Sequence, residues 1–208
     1  MASCQACIRA LHPHILIDAA PCKRHSLVYG SSIALPLALE MTVKEITQLA
    51  AELGRRLQVL NAHVTAAESC TGGGISEAIT RIPGSSAWFE AGYVTYSNRQ
   101  KTQQLNVPVE LFSTVGAVSR EVVEAMARGA QEKSRAHFAV AVSGVAGPDG
   151  GSPSKPVGTV WLAWGVGERL FSEEQHFAGN RDEVRRQTVK AALEGLLRHA
   201  AAEISNQG

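Results

Sequence analysis

The chain has 208 residues, 45% of them hydrophobic, which suits one domain of ordinary size with a sizeable core. Twenty basic and nineteen acidic side chains leave a formal charge of +1, and aromatics are only 5%. That balance argues against a nucleic-acid surface or a single-strand stacking platform, and no apolar run approaches the ~20 residues that span a bilayer.

Residues 1–40 differ from the rest of the chain. They carry only two acidic residues, Asp18 and Glu40, and lack sustained periodicity. Cys4-x-x-Cys7 with Cys22-x-x-His25 has the ligand types of a tetrahedral zinc site, but incidental residues of an extension are the simpler reading. No h-region with a cleavage site marks a signal peptide. We expect 1–40 to be a disordered extension, consistent with a start assigned too far upstream, and 41–208 to be the domain. Cys70 is the domain's one cysteine, so a reducing, cytoplasmic setting is expected.

Thr42-Val-Lys-Glu45 reads as a capping box. Val43, Ile46, Ala50, Leu53, Leu57 and Leu60 then form one apolar stripe on a helix of about five turns. Residues 63–67 predict a first strand and 74–82 a helix closed by Pro83-Gly84. A second strand follows at 88–96, and a short helix over 98–105 carries Lys101. Ser119 caps a further helix on which Val122, Met126 and Gly129 share a face. The mostly apolar run 137–142 predicts a central strand. Residues 157–166 and 170–177 predict a hairpin, and Asn180 with Glu183 caps a last helix. The pattern is a three-layer α/β/α domain with a mixed, mainly parallel sheet.

Chemistry-bearing groups gather where strands end. Glu68-Ser69-Cys70-Thr71 runs into Gly72, Gly73 and Gly74, a strand-to-helix loop able to offer backbone N–H groups to an anion or an oxyanion; a plain turn needing glycine for backbone geometry explains it as well. Lacking Gly-Lys-Ser/Thr, it is not a P-loop. The loop 143–151 is also glycine-dense, and in an open sheet both loops meet at one edge. Arg181 stands where it can clamp a phosphate; a solvent-facing arginine in a helix's first turn explains it as well. No histidine has triad or metal spacing. The nucleophiles near the loops are Ser69, Cys70, Ser85 and Ser86, and the nearest base is Lys101, which serves only if its pKa falls from about 10.4 towards neutrality. Tyr96 stands where it can relay a proton or orient that amine. Lys101 is otherwise an exposed or semi-exposed helical lysine.

TAAESCTGG, GSSAWFEAGYVTYSNRQK, VSGVAGPDGGSPSKPVGTVW and GNRDEVRRQ resemble the C-terminal domain family of competence/damage-inducible protein CinA. Four motifs in order, from about Met41 to near residue 200, carry the resemblance, and residues 1–40 lie outside it. It implies hydrolysis of the carboxamide of nicotinamide mononucleotide to nicotinate mononucleotide and ammonia, without metal or cofactor, by a serine with a lysine base. On this sequence it implies Ser86 as nucleophile, Lys101 as base and Tyr96 as assistant, with Ser69 the alternative nucleophile. Ser69, Thr71, Gly72, Gly73, Gly144, Gly147 and Arg181 are then expected around a small nucleotide. A homodimer or larger homo-oligomer, and no nucleic-acid or membrane partner, go with it. Two alternatives stay open: a catalytically silent nucleotide-binding protein of the same fold, and a cysteine amidase using Cys70 with Glu68 and a lysine.

Overall fold

The computed structural model describes residues 37–207, so the zinc spacing and most of the expected extension lie outside the described residues. Helix α1 spans Leu37–Val59. It begins before the Thr42 box, because Leu37-Ala-Leu-Glu-Met41 are all strong helix formers and extend the helix upstream. After α1 come β1 (Val64–Glu68), α2 (Gly74–Thr80), β2 (Phe89–Val94), α3 (Asn98–Leu105), α4 (Glu110–Thr114) and α5 (Arg120–Ser134). Strand β3 (Phe138–Gly144), the hairpin β4 (Thr159–Val166) and β5 (Arg169–His176), and α6 (Arg181–Gln207) complete the domain. No described helix is long and apolar enough to cross a membrane.

The five strands form one mixed sheet in the order β2-β1-β3-β4-β5. Strands β2, β1 and β3 run parallel, and β4 and β5 are antiparallel additions. As the unbroken apolar run predicts, β3 is central. Its even-numbered residues Phe138, Val140 and Val142 face a core built with α1, α2 and α6. Ala139 and Ala141 face a second core built with α3 and α5. This is the α/β/α sandwich expected from the alternation of elements.

The Thr42 box expected to open α1 lies inside that helix, whereas the caps of α5 and α6 follow the sequence. Ser119 Oγ accepts from the Val122 N–H. Asn180 Oδ1 accepts from the N–H groups of Asp182 and Glu183, while Glu183 Oε2 accepts from the Asn180 N–H. That reciprocal box fixes where α6 begins and so where Arg181 stands.

Candidate active site

Parallel neighbours leave the sheet at the same edge. Strand β1 ends beside β2 with Glu68 opposite Val94, so the residues after Glu68 meet those after Val94. Alternation then sorts the side chains. Ala67 faces the α3/α5 core, and Ser69, two residues on, keeps that side; Glu68 and Cys70 turn towards α2 and α6. Lys101 reaches the same place from α3, whose start Ser97 caps by accepting from the Gln100 N–H. Lys101 and Leu105, four residues apart, form the buried face of that helix.

The result is a close pair. Lys101 Nζ lies 2.9 Å from Ser69 Oγ, 2.9 Å from the Thr95 carbonyl oxygen and 3.3 Å from the Tyr96 carbonyl oxygen. The lysine is 1% exposed, a correction to the exposed or semi-exposed residue its polar helix suggests. Burial lowers its pKa from 10.5 to about 8. A neutral amine in this setting spends two N–H groups on the two carbonyls and turns its lone pair to the Ser69 hydroxyl. That is the arrangement a general base needs.

Ser86 lies elsewhere. It sits exposed in the short 3-10 turn Ser85–Ala87 that precedes β2. Lys101 follows the far end of that strand, and six residues of strand separate the two ends by roughly 20 Å. The serine–lysine pair formed by the fold is therefore Ser69 with Lys101, and Ser86 is not brought to the amine. Tyr96 contributes its carbonyl to Lys101, whereas its hydroxyl accepts from Arg181 Nη2 at 3.0 Å. Of the two parts expected of Tyr96, the contact with the amine is made by its carbonyl, while its hydroxyl is placed at Arg181 and not at Lys101.

The first glycine loop is also filled differently from the expectation of free anion donors. Gly72 and Gly73 adopt positive φ, 61° and 100°, which turns the chain sharply into α2. The donors this exposes go to Glu68, a fully buried side chain. Its Oε2 accepts from Thr71 Oγ1 at 2.7 Å and from the Gly73 and Ile75 N–H groups; its Oε1 accepts from the Ser76 N–H and Oγ. Gly72 N–H donates to the Ser69 carbonyl and Gly74 N–H to that of Thr71. The N–H groups of Cys70 and Thr71 donate to no backbone carbonyl of the described residues. Burial, with the Glu68 charge adding, pushes the Cys70 thiol up to about 12, which withholds the thiolate a cysteine nucleophile needs.

The rim comes from distant loops. Arg181 Nη1 donates to the Gly147 carbonyl at 2.8 Å, tying α6 to the loop after β3, and Nη2 reaches the Tyr96 hydroxyl. Gly144 has a packing reason of its own, since a Cβ there would press on Val160. Arg185, not singled out from the sequence, stands one turn beyond Arg181, and its Nη2 donates to the Thr71 carbonyl at 2.8 Å. The i,i+4 spacing in Arg181-Asp-Glu-Val-Arg185 is the signal for it. Lys155 Nζ donates to the Val115 carbonyl. A cavity of about 190 Å³ lies between α1, α2 and α6, and neither Ser69 nor Lys101 lines it. Among the described residues no group of three His, Cys, Asp or Glu side chains is arranged to hold a metal.

Three comparisons with known proteins bear on this arrangement. Residues 46–200 match the model of the CinA C-terminal domain. The chain is 75% identical over 152 residues to the nicotinamide-nucleotide amidohydrolase PncC of Pseudomonas putida, covering 73% of this chain and 95% of that protein. Against the protein of the same name from Escherichia coli K12 it is 52% identical over 158 residues, covering 75% and 95%. The crystal structure of competence/damage inducible protein CihA from Agrobacterium tumefaciens superposes with a TM-score of 0.73 at 46% identity, covering 74% of this chain and 94% of that one. With a family model matched over most of its length and relatives this similar, the chain belongs to the CinA C-terminal domain family.

Proposed function

We propose that this protein hydrolyses the carboxamide of nicotinamide mononucleotide, releasing ammonia and nicotinate mononucleotide, with Ser69 as nucleophile and Lys101 as its base. The names of the two amidohydrolase relatives support the substrate. The observation that carries the mechanism is the 2.9 Å approach of a buried amine to a serine hydroxyl, with two carbonyls taking the amine's other hydrogens.

In this reading the neutral Lys101 accepts the Ser69 proton as Oγ bonds to the amide carbon. The tetrahedral oxyanion is held by the Cys70 and Thr71 N–H groups, the donors next in the chain. Lys101 then gives its proton to the departing nitrogen, the C–N bond breaks, and ammonia leaves. Water attacks the resulting Ser69 ester, passing a proton through Lys101 back to Oγ and freeing the carboxylate. Arg181 and Arg185, the cations at the rim, take the 5′-phosphate in place of the glycine loop, whose donors Glu68 already occupies. The chemistry needs no metal.

The test is ammonia release from nicotinamide mononucleotide by chelator-treated wild type, Ser69→Ala and Ser86→Ala. We expect at least a thousandfold loss in Ser69→Ala, on the scale of losing an activated nucleophile, and near-normal rates in Ser86→Ala. The reverse pattern would sink the Ser69 assignment. Inactivity of all three would favour a silent binding protein.

A further inference from the structure

Nicotinamide mononucleotide carries its positive charge on the pyridinium ring, and a site that takes it has to face that cation with something other than arginine. Resting on the functional reading above, we infer that the Tyr96 ring is the platform for the pyridinium and sets a preference for the cationic ring over a neutral one of the same shape.

Tyr96 is the aromatic residue that spans the site. Its carbonyl lies 3.3 Å from Lys101 Nζ, and its hydroxyl lies 3.0 Å from Arg181 Nη2. Backbone and tip are thus both fixed, one at the reacting amine and the other at a cation suited to phosphate. Nicotinamide mononucleotide runs in the same order: the carboxamide at one side of the ring, the ribose and phosphate at the other. With the amide at Ser69 and the phosphate towards Arg181, the pyridinium lies along the tyrosine ring. The residue is 61% exposed, so that ring is open to a ligand. An exposed aromatic face beside a catalytic pair is a standard electrostatic partner for a cationic ring.

The other aromatic groups have partners of their own, with Phe89 and Phe177 packed on one core and Tyr93 and Phe112 on the other. Trp88, Trp164 and Phe138 are buried in the core. Trp161, also near this sheet edge opposite Ser143, already carries the Arg120 guanidinium over its ring. Phe171 stacks on His199. The acidic groups nearby are similarly engaged: Glu68 accepts five hydrogen bonds on the other side of β1, and Asp182 faces Arg185. Asp149, exposed in the same loop as Gly147, is the rival counter-charge.

The experiment compares two ligands, nicotinamide mononucleotide and the C-nucleotide of benzamide 5′-phosphate, whose ring has the same shape without charge. Calorimetric affinities are measured in a Ser69→Ala background, with Tyr96→Leu, Tyr96→Phe or Asp149→Asn added, and wild-type ammonia release is assayed alongside. Tyr96→Leu loses both the ring and the tie to Arg181, so it should weaken the cationic nucleotide roughly tenfold more than it weakens the neutral one. Tyr96→Phe keeps the ring and loses the tie to Arg181, so it should weaken both alike and preserve their ratio. Equal losses for both nucleotides in Tyr96→Leu, or no loss, would overturn the inference. So would a preference that collapses in Asp149→Asn and survives in Tyr96→Leu. Wild type that releases no ammonia from the nucleotide would instead overturn the functional reading, and this inference with it.

Discussion

Replacing Lys101 by methionine links the proposed chemistry to stability through one quantity. Burial lowers the amine's pKa from 10.5 to about 8. Between those values the unfolded chain still holds the proton that the folded chain has released. The unfolded state therefore binds more protons, and stability rises with pH across the window. Below pH 8 both states are protonated, and the whole penalty of a buried ammonium stands. A displacement of about 2.5 units is roughly 3 kcal/mol, of which about 2 kcal/mol is recovered between pH 7 and pH 9.5. Lys101→Met keeps an unbranched side chain, one atom shorter, and removes the titrating amine. It also leaves Ser69 Oγ and the Thr95 and Tyr96 carbonyls without their partner, a loss that does not vary with pH over this range. Absolute stabilities thus mix two effects, while the pH dependence of the difference isolates one. Urea unfolding of both proteins should show the wild type gaining about 2 kcal/mol on the variant between pH 7 and pH 9.5. In the same window kcat/KM of the wild type should climb along a single limb centred near pH 8. A stability difference flat in pH would mean that Lys101 titrates normally in the fold, and the neutral-amine mechanism would lose its physical basis.

Two further outcomes rest on buried contacts. Glu68→Ala strands five donors at the start of α2, and urea unfolding should register a loss on the order of 4 kcal/mol; a loss below about 1 kcal/mol would mean that solvent replaces the carboxylate freely. Gly129→Ala places a Cβ against the Leu105 carbonyl oxygen, separating α5 from the helix that carries Lys101. We expect destabilisation of about 3 kcal/mol with weakened turnover, and unchanged thermal unfolding would refute the close approach.

The fold is legible because its local signals agree. The Ser119 cap, the Asn180–Glu183 box, the apolar run of β3 and the hairpin each specify an element without reference to the others, and all five strands lie where hydrophobic patterning puts them. Helix α4 is not legible, since Glu110–Thr114 is one short turn with no buried residue to give it a periodicity. The burial of Lys101 is hidden for a related reason. In NRQKTQQL only Leu105 is apolar, so nothing in the helix announces a buried face; that face exists because α5 packs there, which is a long-range fact.

The choice between Ser69 and Ser86 turns on strand order, which local pattern does not contain. Ser86 is fifteen residues from Lys101 in the chain and Ser69 is thirty-two, so proximity in sequence favours the serine at the end of β2 remote from the amine. Once β1 and β2 are known to be parallel neighbours, the exit of one must meet the exit of the other, and Ser69 becomes the serine within reach. Alternation along β1 then does the rest. Glu68 goes to the α2 side, where it saturates the glycine loop, and Ser69 goes to the α3 side, where it finds the amine. A shift of one residue in the register of β1 would exchange them, pairing a carboxylate with Lys101 and leaving α2 uncapped. The buried residues Thr65 and Ala67 on one face and Val64 and Ala66 on the other hold that register. The packing of four side chains along β1 thus decides which group meets the Lys101 amine.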